Sequence, residues 1–259
     1  MLLDHQIAGR EPRSNFTRPK ARTKATMSNF SASPGVPIHI LEQIAAAFQK
    51  RPDVANVLHG QRRIRQGGRG RRTAQFSSTK SGGAVPVESK LELAHAVALE
   101  RSSRVIRFRT QAICIALTER HVAYPDFLVE VADGKFEIHE IKPSILHLSA
   151  EDTQRFERIE RVLRSCGVGF RLIDAASLAN GQDLEEMLLS YTRGHAERYA
   201  PAQISLALEA LTNKPLVWFS DAYQLLKDRD LSPCLADYLD FHGLWTSPPR
   251  ASALRIGRV

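Results

Sequence analysis

Three residues of this chain, Asp126, Glu140 and Lys142, have the types and the spacing of a metal-dependent site that cleaves phosphodiesters. Residues two apart on a strand project to the same side, so Glu140 and Lys142 are expected to face one way. Two carboxylates 4 Å apart repel by about 4 kcal/mol at an effective dielectric of about 20. A divalent cation removes this repulsion, and oxygen-only ligands favour Mg²⁺, for which Mn²⁺ is expected to substitute. The pattern predicts a hydrolytic site with Lys142 near the attacking water and the phosphate.

A predicted hairpin decides whether the two carboxylates meet. Its strands, 127–131 and 136–142, are rich in β-branched and aromatic residues. A three-residue loop with Gly134 in the left-handed conformation places Asp126 directly opposite Glu140, with Cβ atoms roughly 5 Å apart. A two-residue turn instead shifts the register by one residue and sends the carboxylates to opposite faces. The alternative interpretation is an ordinary amphipathic hairpin with a capping Asp126 and a surface ion pair.

The elements around this hairpin indicate an α/β fold in which helices flank a mixed sheet. Predicted helices cover 38–49, 87–102 and 151–165, and predicted strands outside the hairpin cover 105–108, 111–117 and 168–173. Glycine and proline interrupt residues 52–86, which are predicted to be irregular. The breakers are Gly67, Gly68, Gly70, Gly82, Gly83 and Pro86.

The carboxyl-terminal region, from residue 182 onward, is predicted to be mostly helical, with helices at 184–191, 201–211, 218–227 and 232–241. Plausible helix starts occur at Phe219-Ser220-Asp221 and at the turn Leu231-Ser232-Pro233. Two short helices joined by such a turn indicate either a helix-turn-helix or winged module, or a helical subdomain for protein contact.

Positive charge is concentrated toward the amino terminus. Residues 1–80 hold 15 Lys and Arg against 4 Asp and Glu, whereas the remaining residues hold 21 against 24. A basic arm of this kind neutralises phosphates and gives salt-dependent affinity that does not read sequence. A solvated leader is the alternative, and Met27 is an alternative start of the chain. The predicted DNA-binding residues are Arg62, Arg63, Arg65, Arg69, Arg71 and Arg72.

The composition argues against several other classes of protein. No apolar run approaches the ~20 residues that span a bilayer, and the first residues lack a secretory signal pattern. Three cysteines without metal-ligand spacing, Cys114, Cys166 and Cys234, indicate a reducing compartment. No Gly-Lys-Ser/Thr phosphate loop is present, so ATPase activity is not expected. His95 and His139 are expected to pack or to lie on the surface rather than to bind metal.

Residues 88–142 resemble the TnsA endonuclease family, the subunit that nicks one strand in heteromeric cut-and-paste transposases. The matching segments are 88–93, 108–111, 125–129 and 141–143, which read Glu-Ser-Lys-Leu-Glu-Leu, Phe-Arg-Thr-Gln, Pro-Asp-Phe-Leu-Val and Ile-Lys-Pro. A looser match covers roughly 65–178. The resemblance implies a restriction-endonuclease-like fold of the PD-(D/E)xK type.

The resemblance also implies a catalytic set in which a helix carboxylate joins the strand residues. By the match this carboxylate is Glu92, which is expected to join Asp126 and Glu140 as a metal ligand or to orient the shell around the ion. Glu88, one turn earlier on the same helix face, is the alternative. A well-known family member has Gln where this chain has Glu140, and the Glu is expected to strengthen metal binding. Gln111, on the predicted neighbouring strand, is expected to support the site or the DNA, or to be an ordinary strand-edge polar residue.

The implied function is Mg²⁺-dependent nicking of double-stranded DNA at transposon ends by two-metal hydrolysis. The implied partners are a DDE transposase subunit (TnsB-like) and an AAA+ regulator (TnsC-like), in the bacterial cytoplasm and associated with the nucleoid. Because fold does not fix function, two alternatives stay open. They are a free-standing nuclease of restriction, repair or phage origin, and a catalytically idle DNA-binding adaptor.

The chain is accordingly predicted to have four parts: a disordered basic leader (1–36), a short helix with a basic loop (37–80), a TnsA-like endonuclease domain (81–180) and a helical carboxyl-terminal region (181–259).

Overall fold

A four-stranded mixed sheet organises the computed structural model, which describes residues 35–49, 61, 73–118 and 121–250. Residues 1–34, which make up nearly all of the predicted leader (1–36) and include Met27, lie outside the described residues. The six predicted DNA-binding arginines lie outside them as well. The elements in chain order are α1 (Gly35–Ala47), β1 (Ala74–Ser78), β2 (Gly83–Val87), α2 (Lys90–Arg101), β3 (Val105–Thr110), β4 (Ile115–Ala116), β5 (Val122–Ala123), β6 (Phe127–Val131), β7 (Phe136–Lys142), α3 (Ala150–Ser165), β8 (Gly169–Asp174), α4 (Gly181–Gly194), α5 (Pro201–Thr212), α6 (Phe219–Lys227) and α7 (Cys234–Phe241).

The strand order in the main sheet is β3-β6-β7-β8. β3, β6 and β7 pair antiparallel, and β8 pairs parallel with β7 after α3 has crossed over the sheet. A parallel pair needs such a crossover, which is usually a helix. The predicted α/β class with a mixed sheet flanked by helices is therefore confirmed.

The two faces of the sheet are covered by different helices. Phe127 and Val129 of β6 belong to a core that contains residues of α2 and α4. Leu128 of β6 and Ile138 of β7 belong to a second core that contains Phe156 and other residues of α3. The alternation follows the two-residue period of a strand and fixes which side chains of β6 and β7 face α2 and which face α3.

The β6–β7 hairpin has the register that the three-residue loop predicts. Phe127 is opposite His139, and the Val131 N–H group donates to the Lys135 carbonyl at 3.0 Å. Gly134 has φ +77°, the left-handed conformation that glycine adopts without a steric penalty. The two-residue turn is thereby excluded.

The predicted strand over 111–117 is wrong for most of its length. Gln111 leaves the sheet with φ +47°, and only Ile115–Ala116 forms a strand, paired with Val122–Ala123 in a separate two-stranded sheet. The segment is apolar because Ile113 and its neighbours are buried in the core on the α3 side. A short buried apolar run cannot be distinguished from a strand by its periodicity.

The prediction that residues 52–86 are irregular is wrong where the structure describes an antiparallel hairpin, β1–β2. Two of the residues that were interpreted as breakers belong to this hairpin. Gly82 lies in its turn with φ +68°, and Pro86 pairs with Gln75 in the two-stranded sheet. The turn is anchored by Glu100 of α2, which is fully buried and accepts a hydrogen bond from the Ser78 hydroxyl at 2.6 Å. This tertiary contact is invisible in local sequence.

Continuous structure crosses both predicted limits of the 81–180 domain. The limit after residue 80 falls within the turn of the β1–β2 hairpin. Beyond residue 180, Leu184 and Tyr191 of α4 join the core that contains Phe108 of β3. The described residues belong to one compact unit, Ala32–Val259.

The carboxyl-terminal helices α4 to α7 occur where helices were predicted. α5, α6 and α7 enclose a separate core that includes Phe219, Leu226 and Leu235. Residues 181–250 contain no strand, whereas a winged module requires strands. None of the helices in the described part of the chain is long and apolar enough to cross a membrane.

Candidate active site

Asp126 and Glu140 meet at the end of the β6–β7 hairpin that is remote from its loop. Asp126 directly precedes β6, and the observed register, continued by one residue, places it opposite Glu140. The backbone holds Asp126 from both sides: the Ile141 N–H group donates to Asp126 Oδ2 at 2.8 Å, and the Gln111 N–H group donates to the Asp126 carbonyl at 2.9 Å. Two neighbouring segments therefore fix this residue, one through its carboxylate and one through its backbone carbonyl.

The electrostatic environment raises the pKa of Asp126 to about 8. Burial is the largest cause, because it disfavours the charged carboxylate, and the negative charges of Glu140 and Glu92 add to it. The Ile141 N–H group and the positive charge of Lys142 act in the opposite direction and lower the pKa. The residues predicted to form the site thus act on one another through their charges.

Lys142 lies on the same face of β7 as Glu140. Its Nζ atom is 2.8 Å from Glu140 Oε1, and the two side chains are 23% and 13% exposed. The ammonium group also lies 5.2 Å from the centre of the Phe156 ring. The predicted common orientation is confirmed, and the ammonium is held by one carboxylate and one aromatic face.

Glu92 reaches the site from the start of α2. Ser89 caps this helix, and its hydroxyl accepts from the Glu92 N–H group at 3.1 Å. The Glu92 carboxylate accepts from the Ser89 hydroxyl at 3.1 Å and from the Glu88 N–H group at 2.8 Å. This reciprocal arrangement resembles a capping box, and it fixes the carboxylate of Glu92, a residue only 8% exposed, at the start of α2.

Glu88 does not lie on the helix face where it was expected, because α2 begins only at Lys90. Its carboxylate accepts a hydrogen bond from the Gln111 side-chain amide at 3.3 Å. Of the two candidate carboxylates, Glu92 is the one whose charge raises the pKa of Asp126. Glu92 is therefore the better candidate for the helix carboxylate, and Glu88 is joined to the site through Gln111.

Gln111 is a buried connector and not a strand-edge residue. It is 1% exposed and has φ +47°, which costs a residue with a Cβ atom on the order of 1–2 kcal/mol. Its backbone binds the carbonyl of Asp126 and its side chain binds Glu88. Sequence reasoning found the residue but missed this backbone role, because a single left-handed residue has no signature in the local pattern.

The donor chemistry at the site suits a hard cation. Asp126 and Glu140 offer carboxylate oxygens, and Mg²⁺ is commonly held by one or two carboxylates while it keeps several waters. Across residues 35–49, 61, 73–118 and 121–250, no three His, Cys, Asp or Glu side chains are grouped so that they could hold a metal ion. The Asp126–Glu140 pair fits such an ion, and Glu92 fits a role toward its water ligands.

Cavities in the carboxyl-terminal region are separate from this site. One lies between the end of α5 and residues 244–248, and another lies between α4 and residues 247–250. Neither is lined by Asp126, Glu140 or Lys142.

Two histidines lie on the α2 side of the sheet, away from Lys142. His95 Nε2 is 3.0 Å from His139 Nδ1, and His139 Nε2 is 2.9 Å from Glu137 Oε2. Burial lowers the pKa of both imidazoles, that of His95 to about 3, so both are neutral near pH 7. Both side chains pack in the interior, in agreement with the sequence, but their mutual hydrogen bond was not foreseen. The sequence offered only two indications of this hydrogen bond: strand alternation, which turns His139 away from Glu140, and the three-residue spacing of His95 from Glu92.

Comparison of the chain with models of known protein families gives no match, and comparison with curated proteins gives none of significant similarity. The geometry of the residues is therefore the basis for the functional conclusion.

Proposed function

We propose that this protein is a Mg²⁺-dependent DNA endonuclease with a restriction-endonuclease-like catalytic domain. The proposal depends on one observation: a half-buried carboxyl, Asp126, is held opposite Glu140 and has a pKa of about 8. A buried like-charge pair costs stability, and strongly perturbed carboxyls of this kind cluster at catalytic sites. An ordinary amphipathic hairpin has no reason to retain this arrangement.

Asp126 and Glu140 are the residues that would hold the ion. When bound, Mg²⁺ or Mn²⁺ lowers the pKa of a coordinated water and stabilises charge on the phosphate. Asp126 must release its proton for binding, because only the carboxylate is a ligand. Its oxygen Oδ2 is kept in place by the Ile141 N–H group, so binding requires little reorganisation.

Lys142 and Glu92 complete the set of roles. The ammonium of Lys142, anchored 2.8 Å from Glu140 Oε1, neutralises the phosphate as a compact point charge. Glu92 accepts hydrogen bonds from helix-capping donors on its own segment and is assigned the role of orienting water at the ion. Gln111 supports the site by joining Asp126 to Glu88, just before the start of α2.

The TnsA-like assignment is supported by contacts among the four matched segments. The Gln111 amide donates to Glu88, the Gln111 N–H group donates to the Asp126 carbonyl, and the Ile141 N–H group donates to Asp126 Oδ2. Segments that are far apart in sequence thus meet at one end of the sheet. We accordingly propose nicking of one strand of double-stranded DNA at a transposon end, together with a DDE transposase subunit (TnsB-like) and an AAA+ regulator (TnsC-like). The winged-helix interpretation of the carboxyl-terminal region is not part of this proposal.

The test is nicking of supercoiled plasmid DNA by the purified full-length chain in Mg²⁺ or Mn²⁺ at pH 8. Each reaction is run with and without a TnsB-like transposase. Nicked circles are expected with wild type and are expected to disappear with Asp126→Asn and with Lys142→Ala. Matched controls are Asp133→Asn and Lys135→Ala, which change the same residue types at the loop end of the same hairpin.

Two results would overturn the proposal. Full nicking activity in Asp126→Asn or Lys142→Ala shows that the cleavage arises elsewhere. No nicking in any combination of metal and partner leaves the idle adaptor as the better account. Nicking that does not depend on the transposase favours the free-standing nuclease over the transposition subunit.

A further inference from the structure

We propose that His95 is a positioning residue, whose hydrogen bond to His139 holds the start of α2, and with it Glu92, against the Asp126–Glu140 pair. This inference rests on the proposed metal-dependent function and concerns how the site keeps its shape.

His95 lies on the helix that carries Glu92 and contacts the residues next to Asp126 and Glu140. It lies three residues after Glu92 on α2, and residues three apart share a helix face. Its ring packs edge-on against Phe127, with centroids 5.0 Å apart, and its Nε2 atom is 3.0 Å from His139 Nδ1. Phe127 and His139 are cross-strand partners. His95 therefore contacts the cross-strand pair Phe127–His139, which is adjacent to the Asp126–Glu140 pair in the hairpin.

The direction of the hydrogen bonds follows from the carboxylate at the far end. Glu137 accepts, so the proton on His139 lies on Nε2, at 2.9 Å from Glu137 Oε2. The Nδ1 atom of His139 is then an acceptor, and His95 must donate from Nε2. Arg171 of β8 lies 3.5 Å from the same Glu137 carboxylate. A directed chain thus runs from β8 through β7 to α2.

Packing alone does not account for an imidazole at position 95. The ring is 5% exposed, and its Nδ1 atom has no hydrogen-bond partner among the described residues. A buried acceptor without a donor lowers stability, so an apolar side chain would serve the core better. What the imidazole adds is a directional bond between the helix that carries Glu92 and the strand that carries Glu140.

The distance that this bond fixes matters because His95 lies on the helix that carries Glu92, and its partner His139 directly precedes Glu140 on β7. If α2 is free to shift, Glu92 no longer faces the pair in one position, and the ion and its waters lose an oriented acceptor. Residues that orient metal ligands without touching the metal typically change its affinity by about 10- to 100-fold when they are replaced. Loss of the His95 hydrogen bond is expected to have an effect of this size.

The experiment measures Mn²⁺ binding by the full-length protein in calorimetric titrations at pH 8, together with the melting temperature. His95→Leu removes the N–H donor, and His95→Gln keeps one. We expect the Mn²⁺ dissociation constant to rise about tenfold or more in His95→Leu and to return to within about threefold of wild type in His95→Gln. Ser190→Ala, which removes a buried hydroxyl on α4, is the control for general destabilisation and should leave Mn²⁺ binding unchanged.

The outcomes separate this inference from the proposed function. If wild type binds no Mn²⁺, the metal-dependent function itself fails. If wild type binds and His95→Leu binds equally well, or if Leu and Gln weaken binding equally, the positioning role is wrong while the nuclease proposal stands. Should His95→Leu not fold, His95→Phe replaces it, because it keeps an aromatic ring against Phe127 and removes the N–H donor. An unchanged dissociation constant in that variant would then refute the role.

Discussion

Replacing Asp126 with Asn is expected to stabilise the metal-free protein at alkaline pH while it abolishes the proposed activity. The native pKa of Asp126 is raised from an ordinary 3.8 to about 8. Between these values the native state holds a proton that the unfolded state has lost, so stability falls as the pH rises through this window. Above pH 8 the native state bears the full loss of stability that ionised Asp126 causes. The Asn side chain keeps an oxygen that accepts from the Ile141 N–H group and carries no charge.

The size of the gain follows from two separate routes. Two charges roughly 5 Å apart, at an effective dielectric of about 20, repel by about 3 kcal/mol. Each pKa unit corresponds to 1.36 kcal/mol, so the part of the window between pH 5.5 and about pH 8 is worth on the order of 3 kcal/mol. The stability advantage of Asp126→Asn over wild type is therefore expected to grow by about 3 kcal/mol between pH 5.5 and pH 8.5.

The assay is urea denaturation of both proteins in EDTA at these two pH values, with the free energy of unfolding taken from the transition midpoint and slope. Asp133→Asn, at the exposed turn of the same hairpin, is the control and should show no such growth. A difference between wild type and Asp126→Asn that stays constant with pH would refute the assignment of a proton to Asp126. An Asp126→Asn variant that is less stable than wild type at pH 8.5 would refute this assignment as well.

Three further predictions concern the metal and the framework. In wild type, Mn²⁺ at 100 times its dissociation constant should add about 2.7 kcal/mol to the free energy of unfolding. The affinity of wild type for Mn²⁺ should rise about tenfold per pH unit up to about pH 8, since Asp126 must lose its proton to bind the ion. Asp126→Asn should show almost no Mn²⁺ binding in calorimetry and almost no rise in melting temperature when Mn²⁺ is added. Gly194→Ala should destabilise the protein by about 1–3 kcal/mol, because its Cβ atom would lie 2.6 Å from the Tyr238 nitrogen; an unchanged melting temperature would show that α4 and α7 are not closely packed. Glu100→Ala should cost about 1–3 kcal/mol, because the Ser78 hydroxyl loses its buried acceptor, and a loss no larger than that of the exposed Glu185→Ala would contradict the anchoring of the β1–β2 hairpin.

The hairpin could be predicted from sequence because its determinants are local. Alternation of apolar residues sets the faces of β6 and β7, and glycine at position 134 supplies the left-handed residue that a three-residue loop requires. Once the loop length is chosen, the pairing of Asp126 with Glu140 follows without any tertiary information. Lys142 follows from Glu140 by the two-residue period.

The parts that escaped prediction are those set by contacts distant in sequence. The β1–β2 hairpin depends on Glu100, a buried carboxylate more than twenty residues away from Ser78. Gln111 was assigned to a strand, whereas its hydrogen bond to Asp126 turns the chain out of the sheet. Glu88 was placed on a helix that begins after it, because the capping serine at position 89 was not recognised as the boundary. Each error arises where tertiary structure overrides local preference.

Unfavourable local features are concentrated at one end of the sheet. Asp126 has a carboxyl whose charge is disfavoured, Gln111 has a left-handed backbone, and His95 has a buried acceptor without a partner. The hydrogen bonds of Gln111 to Asp126, and of His95 to the residue before Glu140, place all three around one pair of carboxylates. By contrast, the left-handed Asp230 follows α6 in a turn, where such a residue is common. Strain that is shared among neighbours persists when the surrounding structure over-determines it, and it collects at functional sites. A fold selected for stability alone would replace these residues one by one, so their coincidence supports chemistry at this position and identifies Asp126→Asn as the substitution in which stability and function should move in opposite directions.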